Sequence, residues 1–289
     1  MPPTWSMTSF SALIAGHEAE RPDYDAVAGS PPLVRSSHSG RDLSDFPRGA
    51  RAGRCLHTVF ERIDFTQRAR ADVDPIIAGA LAEHGFPVTW SEAVRTTIER
   101  VCSTPLDLAA TVRLGDVLPA ARLDELEFTH PVASLDVATL RRVLLAHGYD
   151  RAPFADAVTG LEFRHVHGFM KGFIDCVFEC GGRYLLLDYK SNWLGATLDD
   201  YAAARLPAVI ARERYFLQYL IYAVVVHRLL RLRLVDYDYD RHFGGVYYLF
   251  LRGIDPRRGA ATGVFHDRPS RALVEALDDV MATGGAGRP

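Results

Sequence analysis

The spacing of apolar residues along the N-terminal part of the chain predicts helices. A helical period of apolar residues begins near Gly53. Residues 71–103 contain two further segments with the same period, and Ser91 is placed to cap the second of them. Residues 1–50 lack such a pattern and are rich in Ser, Pro, Gly and Arg. We therefore expect a flexible lead-in or linker there and a single domain over residues 51–289.

Strand patterns dominate the middle of the chain, and helical patterns return after it. The predicted elements follow in this order: strands at 125–132 and 161–169 with a helix between them, a hairpin around Gly181 and Gly182, a helical region over 198–234 with a break or kink at Pro207, a buried strand at 244–253 and a closing helix at 269–283. Strands in the middle with helices on both sides indicate an α/β fold around a mixed sheet.

The predicted hairpin brings two carboxylates together inside apolar runs. A two-residue loop at Gly181 and Gly182 suits positive φ angles, and counting outward from it sets Asp175 opposite Asp188. Because side chains alternate along a strand, Asp188 and Lys190 share one face. Opposed carboxylates in apolar surroundings destabilise a sheet unless a ligand compensates their charge, and a divalent cation does so. We interpret the group as a metal site; a structural hairpin with two solvated acids is the alternative.

The chemistry that such a group can perform is phosphodiester hydrolysis. This reaction needs positive charge at the scissile phosphate, an activated water and stabilisation of the leaving oxygen. Mg²⁺ meets the first two needs, because it prefers oxygen ligands and lowers the pKa of a bound water. The same ligands also accept Mn²⁺. Lys190 would orient the attacking water or stabilise the charge that develops on the phosphate.

Composition restricts the remaining possibilities. The net charge of −3 provides no global basic field, so nucleic-acid binding would have to come from local patches. The four cysteines do not form a secreted disulfide framework at this length. The start of the chain lacks a signal-peptide pattern and the longest apolar stretch, residues 220–226, is too short for a bilayer, so we expect a soluble, cytoplasmic protein without a membrane partner. We expect no ATP site, because Lys190 and Ser191 do not follow a Gly-x-x-x-x-Gly loop.

The central segment also resembles a known family. The sequence GFIDCVFECGGRYLLLDYKSNWLG, residues 172–195, resembles the core of the PD-(D/E)xK nucleases and, more narrowly, the C-terminal nuclease domain of the RecB family, from the beta subunit of exodeoxyribonuclease V. Blocks similar to that domain occur in the same order at 8–13, 53–65, 125–128, 217–222 and 237–253. The resemblance covers nearly the whole chain. It implies a restriction-endonuclease-like fold, with a mixed sheet flanked by helices, and DNA cleavage in end processing and recombinational repair.

The resemblance assigns roles to individual residues. As metal ligands it implies His57, Asp175, Asp188 and the main-chain carbonyl of Tyr189, with Lys190 as the catalytic lysine. Glu127 matches an acidic residue of the site, although Glu125 lies two residues away and the choice between them stays open. Gln218 and Tyr222 match a Gln-x-x-x-Tyr pattern, and share a helix face from which they would contact DNA or position Lys190.

Cofactors and partners follow from the same resemblance. It implies DNA as the substrate, single-stranded or at duplex ends, and as partners either RecC-like and RecD-like subunits or a separate helicase. We expect no iron–sulfur cluster, because relatives that carry one use cysteines on both sides of the core and the last cysteine here is Cys180. The family's helicase part has no counterpart here, which indicates a cut-down domain or a gene for the nuclease half alone. Two alternatives remain: a non-cleaving docking or DNA-binding module of a helicase–nuclease complex, and a hydrolase of smaller phosphodiesters.

Overall fold

The protein consists of a six-stranded mixed sheet between two layers of helices. The structure is a computed structural model that describes residues 6–9, 42–109 and 111–283. Most of the predicted lead-in over residues 1–50, and of the family-like block at 8–13, lies outside the described residues. Of that lead-in, residues 6–9 form a strand, while Leu43 and Phe46 are buried. Whether the rest is a flexible linker stays a prediction.

The elements agree with the α/β architecture that the patterns predict. The helices are α1 (Ala50–Arg62), α2 (Arg70–Glu83), α3 (Ser91–Ser103), α4 (Val137–Ala146), α5 (Ala155–Thr159), α6 (Leu206–Arg212), α7 (Tyr215–Arg233), α8 (Tyr239–His242) and α9 (Arg271–Thr283). The strands are β1 (Ser6–Ser9), β2 (Arg122–Leu135), β3 (Val166–Cys180), β4 (Arg183–Lys190), β5 (Phe243–Phe250) and β6 (Val264–Asp267). None of the described helices is both long and apolar enough to cross a bilayer.

The order of the strands determines which strands pair with each part of β3. It runs β1-β3-β4-β5-β6, with β2 paired to β3 as well. The β1–β3 and β4–β5 pairs are parallel, and the other pairs are antiparallel. The first half of β3 pairs with β1 at Gly168–Lys171, and its last residues pair with β4 from Cys176 onward. Between these two partners, at a stretch that includes Asp175, β3 pairs with no strand of the described residues on this side.

Two hydrophobic cores lie on opposite faces of this sheet. One contains α1, α2 and α3 with Leu185, Leu187 and Tyr189 of β4. The other contains α4, α7 and α9 with Leu186 from the same strand. All eight residues of β5 are buried, because both of its faces are covered by helices, and this accounts for its unbroken apolar run.

Three sequence predictions differ in detail from the structure. Ser91 is the first residue of α3 rather than its cap, which is Trp90. Pro207 marks a break rather than a kink: a 3₁₀ turn, Leu198–Tyr201, ends before it, and Pro207 lies in the first turn of α6, where its missing N–H costs no hydrogen bond. A second break, which the sequence did not predict, precedes α7 at Arg214, whose φ of 56° is left-handed. The second predicted strand, at 161–169, begins only at Val166.

Candidate metal centre

The predicted hairpin register is confirmed up to the edge of the site. Gly181 and Gly182 have φ angles of 60° and 76°, and β3 pairs with β4 from Cys180↔Arg183 to Cys176↔Leu187. The next positions in this register are Asp175 and Asp188. There the ladder ends, and the Tyr189 N–H donates a 2.8 Å hydrogen bond to the Asp175 carboxylate instead. The end of β4 thus diverges from β3 beside the two acids.

A third carboxylate enters from the other side of β3. β2 pairs with β3 at Asp124↔Cys176 and Leu126↔Ile174, which sets Glu125 opposite Asp175. Glu125 has a φ of 48°, a left-handed conformation that is uncommon for a residue with a side chain. Such a conformation is costly and is typical of functional sites.

The strand alternation reverses at this position. Cys176 packs into the core on the α1 side, whereas Ile174, two residues earlier, packs into the core on the α7 side. A regular strand would direct both side chains to one face. The reversal at Asp175 and the left-handed backbone of Glu125 therefore belong to one irregularity that crosses both strands.

His57 of α1 completes a group that could hold a metal ion. Its Nδ1 lies 3.2 Å from the Asp175 Oδ2. Ligand atoms of His57, Glu125 and Asp175 all lie within 4.8 Å of one another. One imidazole nitrogen and two carboxylates, all buried or half-buried, are ligands that Mn²⁺ and Mg²⁺ accept. The donor set therefore fits a hard divalent cation.

The two other charged residues of the predicted site form a buried ion pair. Lys190 Nζ lies 2.7 Å from the Asp188 Oδ1, and the two residues are 2% and 3% exposed. Lys190 also donates to the Gln218 Oε1 at 3.2 Å. The Tyr248 hydroxyl donates to the same oxygen at 2.6 Å, and the Gln218 amide donates to the Tyr222 hydroxyl at 3.1 Å. The Lys190 ammonium is thus held in one position by a buried polar network.

Aromatic rings enclose the same ammonium group. Lys190 Nζ lies 4.1 Å from the centre of the Tyr215 ring and 5.0 Å from that of Tyr248. A cation in such a position is attracted to the face of the ring. The network and the rings together restrict Lys190 to the α7 side of the sheet.

Burial and mutual repulsion perturb the acids of this site. Burial raises the pKa of Glu125 to about 7, and the negative charge of Asp175 adds to that rise. Burial and the charge of Asp175 also raise the pKa of Asp188, against the opposing effect of Lys190. For Asp175, burial is outweighed by His57, Lys190 and the Tyr189 N–H, so its pKa is lowered. A cation would relieve the repulsion that raises the first two values.

The structure brings the predicted residues His57 and Asp175 together, but Asp188 pairs with Lys190 and is not part of that group, and the predicted acid Glu127 lies elsewhere. Glu127, the acid named first from the resemblance, is exposed and pairs with Lys171 at 2.6 Å. Glu125, which the sequence left as the other choice, lies beside His57 and Asp175 instead. On a regular strand the side chains of Glu125 and Glu127 would lie on the same face. The left-handed backbone at Glu125 interrupts the strand, so the two acids have different partners.

Sequence reasoning missed the aromatic residues around Lys190. Tyr248 lies in β5, directly across from Asp188 in the parallel β4–β5 ladder. Its position in an apolar run is typical of a core residue, and only the pairing of β4 with β5 sets its hydroxyl beside Gln218. Gln218 itself is 1% exposed and therefore faces Lys190 rather than solvent.

Comparison with known proteins relates this chain to one bacterial enzyme subunit. No family model matches it. It is 37% identical to the RecBCD enzyme subunit RecB of Escherichia coli (strain K12) over 285 residues, which are 96% of this chain and 23% of that relative. Over nearly its whole length, the chain is RecB-like. The RecB subunits of Haemophilus influenzae and Mycobacterium tuberculosis are 32% and 35% identical to it, over 96% and 97% of the chain. The RecB-like chain spans 23% to 29% of the length of these relatives.

Proposed function

We propose that the RecB-like chain is a Mg²⁺-dependent deoxyribonuclease that acts in DNA end processing and recombinational repair. The observation that carries this proposal is the group of His57, Glu125 and Asp175 beside the buried pair of Asp188 and Lys190. The similarity to RecB, a subunit of an enzyme named RecBCD, supports the same class of activity. RecC-like and RecD-like subunits, or a separate helicase, are the partners that this similarity suggests.

The proposed ligands are His57, Glu125, Asp175, Asp188 and the main-chain carbonyl of Tyr189. When bound there, Mg²⁺ would act as a Lewis acid on the phosphate and lower the pKa of the attacking water. Mn²⁺ would fit the same donors.

Lys190 supplies positive charge that does not depend on a cofactor. Held by Asp188 and Gln218, its ammonium would stabilise the negative charge that develops on a phosphate oxygen during attack. A fixed, desolvated charge serves this purpose better than a mobile one, because little reorganisation is needed during the reaction. Gln218 and Tyr222 act in this proposal as positioning residues for Lys190, since both are buried.

The test compares the chain's two lysines. Labelled linear and circular single-stranded DNA are incubated with Mg²⁺ and the wild type, Lys190→Ala or Lys171→Ala. We expect the wild type and Lys171→Ala to cleave, and Lys190→Ala to lose about 10²–10³-fold in rate. Lys190→Gln, which keeps a donor for Asp188, separates loss of charge from loss of folding. Attack on the circle would show endonuclease action.

Two outcomes would contradict the proposal. Cleavage by Lys190→Ala at the wild-type rate would remove Lys190 from the chemistry. A folded wild type that binds Mg²⁺ and cleaves neither substrate would instead indicate the alternative, a docking or DNA-binding module.

A further inference from the structure

An arginine–tryptophan pair lies just beyond the end of β4. Trp193 follows Lys190 by three residues and is 40% exposed, although most large aromatic side chains of this protein are buried. The guanidinium carbon of Arg48 lies 3.8 Å from the centre of the Trp193 ring. Arg48 is exposed as well. The pair therefore presents a cationic and aromatic surface to solvent.

The segment around Arg48 is locally basic in a chain whose net charge is negative. Arg48, Arg51 and Arg54 occur within seven residues that contain no acid. Arg51 contacts the Phe86 ring at 4.7 Å. Within the described part of the chain, neither Arg48 nor Arg51 forms an ion pair with a carboxylate. Their charge is available to an anionic ligand, in contrast to that of most other arginines.

This basic surface lies a short distance along the chain from the candidate metal centre. Tyr189 stacks on Phe60 of α1, with ring centres 4.6 Å apart, and lies edge-on to His57. Four residues later, Trp193 contacts Arg48, immediately before α1 begins. Four residues of chain span at most roughly 14 Å. One short segment of DNA could therefore contact both the metal centre and the Arg48–Trp193 pair.

Arg252 holds both halves of the pair in place. Its buried guanidinium donates at 2.8 Å to the carbonyl of Ser191, two residues before Trp193. It also donates at 2.8 Å to the carbonyl of Pro47, the residue before Arg48, and at 3.0 Å to that of Phe46. The two segments are thus fixed relative to each other without a ligand. Such preorganisation lowers the entropy cost of binding.

We propose that Trp193 and Arg48 form a nucleotide subsite for single-stranded DNA next to the metal centre. A base would stack on the face of Trp193 that Arg48 does not cover, while Arg48 and Arg51 would contact the flanking phosphates. Proteins that bind single strands combine these same two features, aromatic platforms and a basic track along the backbone. A base in an intact duplex is already stacked and cannot use the platform, so the subsite favours single strands and frayed ends. This inference rests on the proposed nuclease function.

The first experiment measures binding of a labelled oligo(dT) in a Lys190→Ala background, so that cleavage does not interfere. Trp193→Ala should weaken binding about tenfold or more, whereas Trp193→Phe, which keeps a ring, should retain most of the affinity. Arg48→Ala should reduce the dependence of affinity on salt by about one phosphate contact. Arg151→Ala, which removes an exposed arginine between α4 and α5, is the matched control and should have no effect. Thermal melting verifies that each variant is folded.

A second experiment separates base stacking from a general effect on structure. The oligonucleotide is scanned with single abasic sites, one position at a time. When the abasic site lies at the position that stacks on Trp193, the oligonucleotide should bind with equal affinity to the Lys190→Ala parent and to the double variant that also carries Trp193→Ala. The loss caused by Trp193→Ala should persist at the other positions.

The subsite proposal is wrong if Trp193→Ala binds oligo(dT) as tightly as its parent. It is also wrong if the loss of affinity caused by Trp193→Ala is the same at every abasic position. If that happens while the chain with Lys190 intact still cleaves DNA, the nuclease proposal stands without the subsite. If the chain neither binds nor cleaves DNA, both proposals fail.

Discussion

Exchange of Glu125 for Gln should have opposite effects on stability and on metal binding. Glu125 is held beside Asp175 and His57, and the pKa of its carboxyl is raised from 4.5 to about 7. A carboxyl group with a raised pKa in the folded state costs stability when it is ionised. That cost is absent below the unfolded pKa, grows as pH rises, and is complete above pH 7. Glu125→Gln should therefore stabilise the metal-free protein at pH 8.

The size of the effect follows from the shift. The full change in pKa would correspond to roughly 3 kcal/mol. Part of the Glu125 side chain reaches solvent, which screens the repulsion, so about 1 kcal/mol is the realistic gain. For a chain of this length, that gain raises the melting temperature by about 2 °C. The same substitution removes a proposed ligand and should weaken Mg²⁺ binding about tenfold or more.

Glu127→Gln is the matched control for this prediction. Glu127 lies two residues away on the same strand, and its exposed pair with Lys171 is worth about 0–1 kcal/mol. The assay is thermal melting at pH 8, first with a chelator and then with increasing MgCl₂. A lower metal-free melting temperature for Glu125→Gln would refute the reasoning. The reasoning would also be refuted if MgCl₂ raised the melting temperature of Glu125→Gln but not that of Glu127→Gln.

Three further predictions concern the surroundings of the site. Tyr248→Phe removes the hydroxyl that binds Gln218, so the proposed catalytic lysine loses part of its support. In steady-state assays kcat should fall about tenfold while KM is unchanged, and an effect on KM alone would contradict this. The apparent Mg²⁺ affinity, measured by calorimetry, should rise between pH 6 and pH 8. The pKa values of Glu125 and Asp188 are raised, so protons compete with the metal below pH 7. An affinity that does not change with pH would show that these acids are not ligands. Arg252→Met should lower the free energy of unfolding in urea by about 3 kcal/mol or more, because several buried carbonyls lose their donor; unchanged stability would contradict the anchoring role.

Local patterning was sufficient to predict the central hairpin and the α/β class. The Gly181–Gly182 loop and the period of two along each strand determine which residues oppose each other as far as Cys176 and Leu187, and Asp175 and Asp188 are the next positions in that register. The same period sets Lys190 on the face of Asp188. These relationships are local, because they depend on backbone geometry and on residues that are close together in the chain.

The choice between Glu125 and Glu127 required the tertiary structure. Both acids have the same position in the strand period, and the left-handed backbone at Glu125 cannot be inferred from the residue type, since glutamate seldom adopts it. The meeting of His57 with Asp175, and of Tyr248 with Gln218, depends on how α1 packs on the sheet and on β5 pairing with β4. Contacts between elements distant in sequence arise from packing, which periodicity does not encode. The sequence by itself thus determined the register of the hairpin that carries the two acids and the lysine, and the packing of the helices and strands around it decided which residues surround them.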